Sequence, residues 1–180
     1  MGICMDINPY KFLAPWAEYE LATRALEMRS PMVVLPMAWL TRLTTEELVQ
    51  YAKEPDTETL AYWLERFSPL IKAARPEPVV LIMANRCGIE AGGANYAGTS
   101  AVICIQDGDV SIWGILGRWE EKCMVVDLSL VSSMCGELGV ELRLVLHMLT
   151  FTSLQSMSCT HRDHPNLRAQ QFADLWNSWS

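Results

Sequence analysis

Short apolar runs alternate along this chain with stretches whose apolar residues recur at helical spacing. Continuous apolar runs at residues 32–35 and 79–84 each follow a proline and predict buried strands. Between them, apolar residues at 59–74 recur three or four positions apart and predict a helix that Pro69 would kink. This alternation of strands and helices is typical of a mixed α/β domain.

Smaller patterns complete the predicted order of elements. Thr44 and Glu47 form a capping box, which predicts a short helix. Asp107 and Gly108 predict a hairpin turn between two strands. The other predicted elements are a strand end at 2–6, a helix at 15–26, a glycine-rich loop at 87–96, and strands at 99–105, 110–116 and 122–127.

The chain after Asp127 has a different character. Its most apolar part is residues 138–151, and residues 166–179 predict a helix. Between these segments lies a patch made of Cys159, His161, Asp163 and His164. One Cys and two His so close together match no standard zinc site, so we predict a polar loop and no bound metal.

Composition excludes several classes of function. Half of the 180 residues are apolar (51%) and 19% are charged, which is typical of one packed globular domain. The net charge of -7 leaves no basic surface for phosphates, so nucleic acid is not an expected partner. The longest apolar run, at 142–151, is too short to cross a bilayer and contains Arg143 and His147. We therefore expect no membrane association.

The N-terminus and the cysteines indicate a reducing compartment. Residues 1–6 lack the basic flank and apolar core of a secretory signal, so a cytoplasmic location is expected. The six cysteines contain no C-x-x-C pair, and most are expected to be small buried hydrophobic residues. A reactive cysteine needs a separate argument.

That argument comes from short sequence blocks that occur in a fixed order. The blocks are Gly-Ile-Cys-Met-Asp-Ile-Asn-Pro-Tyr at 2–10, Val-Leu-Pro-Met-Ala-Trp-Leu-Thr at 34–41, Tyr62-Trp63 with Arg66, Ala-Asn-Arg-Cys-Gly-Ile-Glu at 84–90, Tyr-Ala-Gly-Thr-Ser at 96–100, and Leu-Gly-Arg-Trp-Glu-Glu at 116–121. Together they resemble the nitrilase superfamily of carbon–nitrogen hydrolases. The first two blocks are most similar to the fungal N-terminal amidases, which deamidate an N-terminal Asn or Gln of proteins.

The resemblance implies a fold and a division of the chain. It implies an α/β fold, a nitrilase-like αββα sandwich, that is incomplete at the N-terminus. The partial carbon–nitrogen hydrolase domain is expected at 1–127, followed by a tail of unknown nature at 128–180. Superfamily members pair their sandwiches, so the resemblance also implies a homodimer. We expect the chain to be N-terminally truncated relative to the family.

The resemblance also assigns catalytic groups. Cys4 stands in the nucleophile's place, and the backbone N–H of Met5 would donate to the oxyanion. The family's catalytic Glu and Lys come from strands upstream of the cysteine, whereas only three residues precede Cys4 in this sequence. The alternative for Cys4 is a buried thiol at the end of a strand. Because a thiol needs a base or a nearby cation, we expect the 180-residue chain alone to be nearly inactive.

Three further residues are expected in the substrate pocket. Trp39, Arg86 and Glu90 follow predicted strands, where α/β proteins gather specificity groups. Glu90 would face the substrate's N-terminal ammonium or hold Arg86 in place. The alternatives are a structural Arg86–Glu90 pair at the surface and a core position for Trp39.

The expected function is hydrolysis of a linear amide through a cysteine thioester. The substrate would be a protein or peptide N-terminus that begins with Asn or Gln, or another small amide. The alternatives are a different amidase of the superfamily and an inactive fragment or pseudoenzyme. No cofactor is implied, since the glycines of the loop at 87–96 form no dinucleotide fingerprint.

Overall fold

The computed structural model describes residues 1–128 and the backbone of a strand at 143–146. In that part of the chain the helices are α1 (Glu20–Glu27), α2 (Thr45–Gln50), α3 (Thr57–Arg66) and α4 (Ser68–Lys72). The strands are β1 (Met32–Met37), β2 (Val79–Asn85), β3 (Cys87–Ile89), β4 (Asn95–Ala97), β5 (Ala101–Gln106), β6 (Asp109–Ile115), β7 (Met124–Asp127) and β8 (Arg143–Leu146). The predicted patch at 159–164 and the predicted helix at 166–179 lie outside the described residues.

A four-stranded sheet with the order β1-β2-β5-β6 forms the centre of the fold. β1 and β2 are parallel, so their carboxyl ends meet at one edge, while β5 and β6 are antiparallel to their neighbours. Pro36 lies in β1 and has no N–H to donate, which fits a strand that pairs only with β2 in this sheet. The mixed α/β class predicted from the sequence is therefore confirmed.

Helices cover one face of this sheet. Alternate residues of β1, β2 and β5 point toward α1, α3 and α4, as the two-residue period of a strand requires. Trp63 and Phe67 are fully buried in this layer, and a buried aromatic side chain stabilises a fold by about 2–3 kcal/mol. This helical layer supplies most of the core.

The opposite face of the sheet is buried as well. Val80, Ile82 and Val102 have no exposed surface and pack with Met124 and Val126 of β7. β7 pairs in turn with β8, so the described layers are helices, the four-stranded sheet and a small β7–β8 sheet. The division of the chain at residue 127 stays a prediction. Within residues 1–128 and 143–146, no helix has the length and apolar character needed to span a bilayer.

Two predicted helices are interrupted. Tyr19, with a φ of 45°, separates a 3₁₀ turn at Trp16–Glu18 from α1, so the helix begins five residues later than predicted. The helix predicted at 59–74 is two helices, α3 and α4, which meet at Phe67. Pro69 occupies the first turn of α4, where its missing N–H costs nothing.

Two shorter segments also differ from the prediction. The predicted strand end at 2–6 is a 3₁₀ turn, Cys4–Ile7, preceded by a single strand-like hydrogen bond from Gly2 N to Val34 O at 3.0 Å. The predicted loop at 87–96 is instead a hairpin of β3 and β4 that ends at Ala97. β3 and β4 have three residues each, which is too short to produce a recognisable alternation of apolar and polar residues in the sequence.

Candidate active site

Cys4 begins the turn Cys4–Ile7 and lies beyond the carboxyl end of β1. Gly2 packs closely against β1 because glycine has no Cβ. A Cβ at that position would come within 2.9 Å of the Leu35 side chain. The chain then turns sharply, with a φ of 31° at Cys4. The thiol is half-buried as a result.

Three influences act on the Cys4 thiol. Burial raises its pKa, the N–H of Ala38 donates a hydrogen bond to the sulfur and lowers the pKa, and the charge of Asp6 raises it. Asp6 itself accepts a hydrogen bond from the N–H of Ile3 at 2.8 Å. The net shift is upward, so the thiol is protonated at neutral pH.

The end of the Cys4–Ile7 turn and the residue after it are bonded to α3. Tyr62 Oη donates to Asn8 Oδ1 at 2.5 Å, and Arg66 Nε donates to the carbonyl of Ile7 at 2.7 Å. Met5 lies within the turn, and its carbonyl accepts the N–H of Asn8 at 3.0 Å. Tyr62 and Arg66 belong to one of the sequence blocks, but the sequence indicates no role for either residue.

Trp39 follows β1 and is only 5% exposed. Its ring lies 5.3 Å from that of Tyr62 and 6.1 Å from that of Trp63, measured between centroids. Its carbonyl accepts the N–H of Ala97 at 2.9 Å. These contacts are those of a core residue that also borders the site, and a pocket role for Trp39 stays a prediction.

Asn85 ends β2 and is completely buried. Its side-chain oxygen accepts the N–H of Trp39, and its side-chain nitrogen donates to the carbonyl of Gly98, both at 2.7 Å. Its backbone N–H donates to Ser100 Oγ at 2.9 Å. The Asn85 side chain therefore joins the end of β2 to the segment that follows β1 and to the segment that follows β4. The sequence includes Asn85 in the block at 84–90 but does not indicate its structural role.

Arg86, Glu90 and Tyr96 form a polar cluster on the β3–β4 hairpin. Arg86 Nη1 lies 3.3 Å from Glu90 Oε1 and donates to Tyr96 Oη at 3.0 Å. The guanidinium also lies 4.3 Å from the centre of the Tyr96 ring. Tyr96 Oη donates to Glu90 Oε2 at 2.5 Å. The ion pair between Arg86 and Glu90 is thus present, and Tyr96 is a member that sequence reasoning missed.

The cluster shifts the pKa values of its own groups. Burial raises the pKa of Tyr96 to about 12, assisted by its hydrogen bond to Glu90. The hydrogen bond from Tyr96 lowers the pKa of Glu90, and Arg86 lowers it further. At neutral pH the cluster therefore contains a neutral phenol, a carboxylate and a guanidinium, and 47% of the Glu90 side chain is exposed. That carboxylate can meet a cationic ligand.

Cys4 and the Arg86 cluster lie at the same edge of the sheet. The N–H of Arg86 donates to the carbonyl of Met37 at 2.9 Å. The next residue, Ala38, donates its N–H to the Cys4 sulfur. Consecutive residues of one strand end therefore link the candidate nucleophile to the candidate binding residues.

Comparisons with known proteins identify relatives of this chain. No family model matches the chain. The protein N-terminal amidase of Schizosaccharomyces pombe is 37% identical over 139 residues, which are 71% of this chain and 46% of that protein. That of Saccharomyces cerevisiae is 42% identical over 40 residues, 22% of this chain and 9% of that protein. This chain is a homologue of the protein N-terminal amidases. It spans less than half the length of these relatives.

Solved structures of an N-terminal amidase share the fold. Its complexes with a Gln-Val peptide and an Asn-Glu-Ala peptide superpose on this chain with TM-scores of 0.53 and 0.54. A variant in which a cysteine is replaced by serine gives 0.53. In each case the identity is 18%, and the match covers 65% of this chain and 56% of the other. The predicted nitrilase-like fold and the predicted resemblance to the N-terminal amidases are confirmed.

Proposed function

We propose that this chain contributes the nucleophile of an amidase that deamidates an N-terminal Asn or Gln of proteins through Cys4. One observation carries the proposal: the Cys4 turn lies at the sheet edge that also holds the Arg86–Glu90–Tyr96 cluster. The homologues named N-terminal amidase, and the Asn and Gln peptides bound to the structural neighbour, support this substrate class.

The proposed reaction is acyl transfer. The Cys4 thiolate attacks the side-chain amide carbon and forms a C–S bond, while the oxygen becomes an oxyanion that accepts the backbone N–H of Met5. The C–N bond then breaks, and the nitrogen leaves as ammonia after taking up the proton that the Cys4 thiol lost when it became a thiolate. Water attacks the resulting thioester, which releases a carboxylic acid and the Cys4 thiol.

The binding residues would recognise the peptide's N-terminal ammonium. Glu90 is the half-exposed carboxylate of the cluster, and Arg86 and Tyr96 hold it in one orientation through hydrogen bonds. Trp39 would support the pocket wall through the ring of Tyr62. In this scheme an N-acetylated peptide, which lacks the ammonium, binds weakly.

A second candidate is an inactive relative that keeps the fold. It is favoured by the raised pKa of Cys4, because among residues 1–128 the charge that acts on this thiol is the anion Asp6. An activated thiol instead requires a nearby base or cation. The proposed activity therefore depends on a Glu and a Lys supplied by chain upstream of Met1, as the resemblance implies. A homodimer and a cytoplasmic location stay predictions.

The test is substrate discrimination by a chain extended upstream with the family's Glu- and Lys-bearing segment. We expect ammonia release from a peptide beginning with Asn, and at least about tenfold less from its N-acetylated form. Glu90→Gln should raise KM for the free peptide with a smaller effect on kcat. Equal rates on the two peptides would contradict the proposed recognition of the ammonium, and no release from either would favour the inactive relative.

A further inference from the structure

The guanidinium of Arg66 is buried between α3 and the segment that follows Cys4. Only 1% of its side chain is exposed. Its Nε donates to the carbonyl of Ile7 at 2.7 Å and its Nη1 to the carbonyl of Trp16 at 2.6 Å. Its Nη2 lies 3.5 Å from a carboxylate oxygen of Glu20. Each nitrogen of this buried cation therefore has an oxygen partner, as burial of a charge requires.

Two aromatic rings hold the same guanidinium. Its central carbon lies 4.5 Å from the ring centre of Trp16 and 4.8 Å from that of Tyr19. These residues begin the segment that leads into α1, whereas Ile7 ends the turn that carries Cys4. One side chain therefore fixes two separate segments on either side of the loop at 8–15.

Tyr62 lies one helical turn before Arg66 on the same face of α3. It donates to Asn8, the residue directly after Ile7, while Arg66 donates to Ile7 itself. Asn8 is 4% exposed. The last residue of the Cys4 turn and the residue after it are thus bonded to one face of one helix.

We propose that Arg66, with Tyr62, is a positioning residue that holds the Cys4 turn against α3 and so sets the depth of the thiol at the sheet edge. Arg66 needs its planar fork for this, because a lysine ammonium cannot reach the carbonyls of Ile7 and Trp16 in the same geometry. Loss of the contact would let the turn move outward and carry Cys4 into water.

Among residues 1–128, few titratable groups lie around the turn. Asp6 belongs to the turn, and Tyr62 and Arg66 come from α3. Glu20 of α1 forms an ion pair with Arg66 and accepts the N–H of Tyr10, and the Tyr19 ring lies against the guanidinium. β1, which also packs against the turn, contains no titratable side chain. A change in the pH profile of Cys4 in an Arg66 or Tyr62 variant would therefore report on the position of the thiol.

The experiment is alkylation of the 180-residue chain with iodoacetamide from pH 6 to 10, with each cysteine measured by mass spectrometry. We expect Arg66→Lys to shift the Cys4 profile to lower pH and to raise its rate at pH 8 about tenfold. Buried Cys104 should stay protected and shows that the fold is intact. Arg24→Lys, at an exposed arginine on α1, is the matched control and should change nothing.

A second variant keeps the test decisive if Arg66→Lys unfolds the chain and exposes Cys104. Tyr62→Phe removes one hydroxyl but keeps the ring, and should shift the Cys4 profile in the same direction by a smaller amount. An unchanged Cys4 profile in a folded Arg66→Lys chain, or in Tyr62→Phe, overturns the proposal.

The inference rests on the proposed role of Cys4, yet the test needs no turnover. A shifted profile without any ammonia release from the extended chain would leave the positioning role standing and reject the function.

Discussion

The side-chain oxygen of Asn85 accepts the backbone N–H of Trp39 at 2.7 Å, and this bond ties the end of β2 to the segment that follows β1. The same segment contains Ala38, whose N–H donates to the Cys4 sulfur. This buried amide therefore fixes the strand end against which the thiol lies.

Replacement of Asn85 by alanine should destabilise the fold. The change leaves the N–H of Trp39 and the carbonyl of Gly98 without their partner in a buried place, and each such group costs about 1–3 kcal/mol. We expect the free energy of unfolding in urea to fall by roughly 2–4 kcal/mol with an unchanged m-value. Gln50→Ala, at an exposed amide, is the control and should stay within about 0.5 kcal/mol. A similar small effect for Asn85→Ala would show that the bridge contributes little.

A substitution at Gly98, whose carbonyl accepts a hydrogen bond from the Asn85 side chain, tests the packing of the backbone at the same place. A Cβ there would lie 2.0 Å from the carbonyl oxygen of Arg118, which is backbone and cannot swing away. We expect Gly98→Ala to cost more than about 4 kcal/mol or to prevent folding, measured by urea unfolding. Gly93→Ala, also at a positive φ but in open space, should cost only the backbone strain of about 1–2 kcal/mol. Equal costs for the two variants would contradict the tight contact at Gly98.

Much of the central fold could be predicted from the sequence, because buried strands leave a strong pattern. The continuous apolar run of β2 follows from burial of both of its faces, and the structure places it between β1 and β5. The break between α3 and α4 was only partly predicted. Pro69 indicated a kink, but the helix ends at Phe67 and a new one starts, since a proline is best tolerated in a first turn.

The members of the site were harder to predict, because tertiary contacts bring them together. Tyr96 meets Arg86 and Glu90 only because β3 pairs with β4, with Gly88 opposite Tyr96. Strands of three residues carry too little periodicity to indicate that register. Arg66 stands out in the sequence only as part of a short block, because its buried position depends on carbonyls of residues 7 and 16 that are distant in sequence.

The raised pKa of Tyr96 predicts a specific dependence of stability on pH. In the unfolded chain a tyrosine loses its proton near pH 10, whereas folded Tyr96 keeps it until about 12. The folded state therefore binds more protons between these values, and the free energy of unfolding should fall by about 1–2 kcal/mol as pH rises through this interval.

The variant Tyr96→Phe separates the contribution of Tyr96 to this pH dependence from the contributions of the other tyrosines. In this variant the free energy of unfolding should fall less between pH 10 and about 12. The control Tyr10→Phe, at an exposed tyrosine, should show the same fall as the wild type. Denaturant unfolding at pH 9, 10, 11 and 12 measures the difference. If the free energy of unfolding depends on pH in the same way in the wild type and in Tyr96→Phe, the cluster does not raise the pKa of Tyr96.

The Cys4 thiol should be unreactive at neutral pH in the 180-residue chain. Burial raises its pKa, and the opposing hydrogen bond from Ala38 is the weaker influence. We therefore expect iodoacetamide to label Cys4 more slowly than exposed Cys123 at pH 7 and to catch up only in alkaline solution. Faster labelling of Cys4 at pH 7 would show that a base or cation already activates it.

The central proposal is that Cys4 is the nucleophile of an amidase whose remaining catalytic groups, as the family resemblance implies, come from chain upstream of Met1. Groups that act as a unit lose most of their effect when one of them is missing. The most direct measurement is ammonia release from a short peptide beginning with Asn, compared among the 180-residue chain, the chain extended upstream by the family's segment, and the extended chain with Cys4→Ala. We expect release only from the extended chain, abolished by Cys4→Ala. Robust Cys4-dependent release by the 180-residue chain, or release that survives Cys4→Ala in the extended chain, would contradict the account.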